Sequence, residues 1–126
     1  MNIHIETINH KDHRYPTVGD WFFQEDGSLV IRVSDLGDWR YEALVAIHEL
    51  VEVVLCKHQG VSQEAVDQFD MNFEANRPVN NVDEPGDAHS APYRKQHCIA
   101  TGVERMLAAE LDVSWNEYED SIEALE

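Results

Sequence analysis

The sequence predicts an α+β fold, a small three-stranded antiparallel sheet followed by three to four helices. Three observations predict it. Period-two alternation and a hairpin turn occupy the first third of the chain. Long segments with helical apolar periodicity and capping residues occupy the rest. Strand signals all precede helix signals, which is the α+β order rather than an alternating βαβ one. At 126 residues the chain has the length of a single domain, β-rich over 1–35 and helical over 38–126.

Asn2 to Ile8 (N-I-H-I-E-T-I) alternates as a half-buried strand does. His10 to Thr17 (HKDHRYPT) reads as a loop. Trp21-Phe22-Phe23 and Leu29 to Val33 then flank Glu25-Asp26-Gly27-Ser28, a hairpin turn with glycine at the positive-φ position. Asp38 is placed to cap a helix from Trp39 to His58, and Gly60 to end it. Ser62 caps a second helix whose apolar face is Val66, Phe69 and Phe73. Between Asn76 and Ala91 periodicity is lost, and unstructured connections of this length are more often functional than idle. A third long helix is expected over Pro92 to Leu111, with proline in its first turn. Ser114-Trp115-Asn116-Glu117 is a capping box that starts a short acidic helix.

Twenty-five acidic residues against nine basic ones give a formal net charge of −16. That excludes binding nucleic acid through a basic surface. Cys56 and Cys98 both fall within expected helices and read as buried, reduced thiols. No charged-then-apolar leader is visible, and the one long apolar run is too short and too acidic to span a bilayer. The expectation is a cytoplasmic protein with no membrane contact.

That apolar run, ALVAIHELVEVVLC from Ala43 to Cys56, carries the chemistry. Its only strongly polar side chains are His48, Glu49 and Glu52. At about 100° per residue the three share one arc of a helix otherwise surrounded by protein. Ionisable groups in a dry interior cost several kcal/mol each unless something pairs with them. For an imidazole and a carboxylate one turn apart, the simplest partner is a metal ion. Glu49, about a third of a turn away, is placed beside such an ion, as a base acting on water.

The third helix offers a matching strip of His97, Thr101, Glu104 and Ala108. His97 is the expected third ligand. Glu104 is either a fourth ligand or the acceptor for a ligand histidine's other N–H. His89 in the preceding loop is an alternative third ligand or a substrate contact. Two histidines and one carboxylate with an open position suit zinc(II) first and iron(II) as well. Arg94, Lys95 and Arg105 flank the strip and are read as balancing nearby carboxylates, with attraction of an anionic substrate group as the alternative. His10 and His13 share a loop with Asp12, and His58 sits where it complements a helix dipole.

His48-Glu49-Leu50-Val51-Glu52, on a helix that follows a small sheet, resembles the active-site helix of zincin-like metallopeptidases. That family's motif is His-Glu-x-x-His, with a third ligand from further along the chain. The resemblance implies a zincin-like core, His48 as ligand, Glu49 as general base and Glu52 in the second ligand position. It covers about forty residues, and the second histidine of the motif is a glutamate here. As a whole the chain is also similar to small uncharacterised phage and prophage proteins. The leading expectation is therefore a small metal-dependent hydrolase of unspecified substrate. Two alternatives stand beside it. One is a non-enzymatic acidic interaction or inhibitor protein of phage origin, using the net charge and the tail acids Glu117, Glu119, Asp120, Glu123 and Glu126. The other is a purely structural metal site.

Overall fold

The computed structural model describes residues 1–125, so Glu126 of the acidic tail lies outside the described residues. Among them, three strands precede four helices: β1 (Ile3–Ile8), β2 (Gly19–Phe23), β3 (Leu29–Ser34), α1 (Trp39–Gln59), α2 (Gln63–Ala75), α3 (Arg94–Glu110) and α4 (Trp115–Glu123). The α+β order holds.

The sheet differs from the expected antiparallel one. Its strand order is β1-β3-β2, with β2 antiparallel to β3 and β1 parallel to it. Ile31 on the central strand faces both Ile5 and Trp21 in register. The cause lies in β3, the most apolar strand, whose residues are all buried except Arg32. A strand buried along its length belongs in the middle, where both of its edges are hydrogen-bonded. The β2–β3 hairpin fixes one neighbour, so β1 takes the other edge. Gly27 turns that hairpin at φ 85°. The expected half-buried character of β1 does not hold either, because Ile3 and Ile5 are both 48% exposed on this uncovered edge.

The helix boundaries follow from capping. Asp38 accepts from the Arg40 N–H at the start of α1, and Gly60 closes it at φ 77° with its N–H donating to the Cys56 carbonyl. Ser62 and Ser114 cap α2 and α4 in the same way. The third helix has no side-chain cap and begins at Arg94, just past the expected Pro92. The aperiodic stretch contains one short 3-10 turn, Pro85–Asp87.

One side of α1 packs against β2 and β3, and another packs against α3. Leu29, Ile31, Val33, Leu44, Val53 and Cys56 are almost fully buried between these layers. Full burial of a Leu, Ile or Val side chain stabilises by about 1.5–3 kcal/mol. Cys56 is buried as expected, whereas Cys98 is exposed, because it falls on the α3 face turned away from α1. Among the described residues no helix is long and apolar enough to cross a membrane.

Candidate metal centre

Within the α1–α3 contact, His48, Glu52, His97 and Glu104 are all buried, at 5–8% exposure. They sit there because each helix presents polar groups one or two turns apart on the strip that meets the other. Three atoms converge. His48 Nε2 lies 3.2 Å from Glu52 Oε2 and 3.1 Å from His97 Nδ1, and His97 Nδ1 lies 3.0 Å from Glu52 Oε2. The structure thus brings together the three residues expected to be ligands.

Two of the converging groups, His48 and Glu52, are held from behind. His48 Nδ1 is 2.7 Å from Glu104 Oε1, and the Tyr118 hydroxyl donates to Glu104 Oε2 at 2.6 Å. A carboxylate only accepts, so Nδ1 donates to Glu104, and in the singly protonated ring the Nε2 lone pair faces inward. Of the two roles open to Glu104, the geometry selects the acceptor behind a ligand histidine. Trp21 Nε1 donates to Glu52 Oε1 at 3.0 Å, leaving Oε2 for the cluster. His97 presents Nδ1 to the cluster, while its Nε2 lies 2.9 Å from Glu84 Oε2 and 3.3 Å from Asp87 Oδ1.

The donor set fits a divalent cation. With a single proton on the outer nitrogen of each ring, two nitrogen lone pairs and one carboxylate oxygen would point at a common centre. Ligands of a tetrahedral ion at about 2.0–2.2 Å stand about 3.3–3.6 Å apart, so the observed triangle needs only a slight expansion. The charge balance agrees. Burial works against a positive imidazole at His48, yet the bonds to Glu104 and Glu52 raise its pKa well above the ordinary value. Burial also opposes charge at His97, and the carboxylates of Glu52 and Glu84 overcome it to lift that ring to about 10. Burial would raise Glu52, but the two imidazoles hold it down at about 2. The cluster therefore takes up positive charge, and a metal would compete there with protons.

Beside the triangle opens a cleft of about 320 Å³. Glu49 lines it together with His48, Glu52 and His97. Glu49 is half-buried and makes no hydrogen bond among the described residues. Burial, reinforced by the charge of Glu52, pushes its carboxyl well above the usual range. Gly19 permits this placement, since a β-carbon there would stand 2.5 Å from Glu49 Oε1.

Other sequence candidates lie elsewhere. His89 is exposed in the loop and does not line the cleft. Arg94 and Lys95 are exposed and also outside it, while Arg105 stacks on the Trp115 ring at 4.7 Å. His10 and His13 both bond the Ser34 hydroxyl at 2.9 Å, which explains them as packing residues. Four contributors were not singled out as residues by the sequence, although the stretch holding two of them was marked as functional. Trp21 and Tyr118 sit on elements remote in sequence, and Glu84 and Asp87 lie in the aperiodic stretch. Comparison with known proteins gives no match: no family model, no curated protein and no solved structure is similar to this chain.

Proposed function

We propose that this protein is a small metal-dependent hydrolase with a zincin-like catalytic helix. The observation that carries the reading is the buried triangle of His48 Nε2, Glu52 Oε2 and His97 Nδ1 beside an open cleft. His48, Glu52 and His97 would hold the ion. When bound, such an ion supplies Lewis-acid polarisation of a substrate carbonyl or phosphoryl oxygen and lowers the pKa of water. The rest of the work falls to the chain. Glu49, without a hydrogen-bond partner of its own, takes the proton of the attacking water and passes it to the leaving group. Burial and the charge of Glu52 raise its proton affinity, which suits a group that must accept a proton from water. Glu104, pinned by Tyr118, keeps the His48 ring oriented.

Zinc(II) is the metal this reading favours, because water activation by an adjacent carboxylate needs no redox chemistry. The same two-histidine, one-carboxylate set also suits iron(II).

The test begins with elemental analysis of purified protein reconstituted with zinc. At least one tightly held equivalent is expected, and His48→Ala should lose it. Glu49→Gln should keep its zinc and melting temperature while hydrolysis of a chromogenic amide, ester and phosphoester panel falls at least 100-fold. Protein that takes up no zinc, with a melting temperature indifferent to chelator, overturns the reading. Zinc retention with no hydrolysis for Glu49→Gln to lose instead establishes a structural site.

A further inference from the structure

His97 Nε2, the ring nitrogen that faces away from the triangle, is left without a hydrogen bond. It is fully enclosed, in a residue only 6% exposed, and no donor or acceptor is aligned with it. Yet Glu84 Oε2 and Asp87 Oδ1 stand 2.9 and 3.3 Å away. Contacts that short without a hydrogen bond mean that both oxygens lie well off the ring's N–H axis.

That is how two ligands of one ion stand to each other. A metal lies on the lone-pair axis of its imidazole, and a second ligand about 2.1 Å from the same ion lies to the side, about 3.0 Å from the nitrogen at a 90° ligand angle and about 3.4 Å at a tetrahedral one. A histidine whose role ended at orienting through a carboxylate would point its N–H along that axis instead. The local chain is built for close approach. Gly86, between the two acids, packs so tightly that a β-carbon there would overlap the His97 ring. Pro85–Asp87 forms a 3-10 turn, which places Glu84 and Asp87 on the same side of the ring.

We propose that Glu84, Asp87 and His97 Nε2 form a second divalent-cation site, so that His97 bridges two metal ions through its two nitrogens. The inference rests on the inner site proposed above. For both ions to bind, the His97 ring gives up its remaining N–H proton to solvent and becomes an imidazolate. The outer ion is the more accessible one, because the Glu84 and Asp87 side chains are 54% and 61% exposed. Such an ion would offer the cleft a second positive centre about one imidazole width from the first.

The experiment is zinc titration of chelator-treated full-length protein, with bound metal counted after gel filtration. Wild type should bind two equivalents, and Glu84→Gln/Asp87→Asn should bind one. Exposed side chains at both positions make that variant safe to fold, and its circular dichroism should match wild type. Copper(II) supplies a second readout. Two copper ions bridged by one imidazolate couple, so the paramagnetic resonance signal per copper should be strongly reduced in wild type. In the double variant it should return to that of an isolated ion. One equivalent in both proteins overturns the second site and leaves the inner one standing. Two equivalents with uncoupled copper also overturn it, because the second ion then lies elsewhere. Zero equivalents in wild type removes the inner site too.

Discussion

Two single positions decide how well the triangle is held. At Gly86 the space for a β-carbon is taken by the His97 ring. Alanine there must push either the ring or the turn away, and ring rotation moves Nδ1 off the triangle. Gly86→Ala should weaken zinc binding at least tenfold while far-ultraviolet circular dichroism is unchanged, and unaltered affinity would show that the ring moves freely. Tyr118 acts one bond further out. Its hydroxyl bond to the buried Glu104 has no replacement among the described residues, and losing such a bond costs about 1–3 kcal/mol. Because Glu104 orients His48, Tyr118→Phe should also lower zinc affinity by about 10–100-fold. A fall in stability with affinity intact would leave Tyr118 a purely structural role.

Between elements, what matters is how closely α1 and α3 approach. Ala100 is 0% exposed and lies one turn from both His97 and Glu104. Ala100→Leu has nowhere to place its side chain, and overpacking of this kind costs about 1–3 kcal/mol. Since the ligands come from both helices, urea midpoint and zinc affinity should fall together, and a loss of one alone would uncouple packing from the site. This level also marks how far the sequence could be read. Asp38 and Gly60 announced α1, and ligand spacing on α1 and α3 predicted the strip that meets, because capping and helical period are local. The parallel β1–β3 pair was hidden, since alternation reports which face a residue occupies and says nothing about its neighbouring strand. Glu84, Asp87, Trp21 and Tyr118 were hidden for the same reason, as tertiary packing alone brings them to the cluster.

Across the whole molecule, the formal charge of −16 is concentrated around the cleft, where carboxylates raise one another's proton affinity. Asp70 shows the effect away from the metal ligands. It is 6% exposed and accepts hydrogen bonds from Tyr93 at 2.5 Å and Tyr15 at 2.9 Å. Burial lifts its pKa from 3.8 to about 7, against the pull of the two hydroxyl bonds and with help from the charges of Glu52 and Asp67. A raised folded-state value means that between about pH 4 and pH 7 the folded protein holds a proton the unfolded chain has released. Stability from this group is therefore complete below pH 4 and is lost as pH rises towards 7. The full window corresponds to at most about 4 kcal/mol. His48 and His97 act in the same direction at higher pH, and a comparison between two proteins that share them cancels their contribution. Urea unfolding of chelator-treated wild type and Asp70→Asn should thus give stability curves that converge or cross between pH 4 and pH 7, with wild type losing more. Parallel curves across that range would show that Asp70 is already ionised in the folded state, held by its tyrosines rather than neutralised by burial.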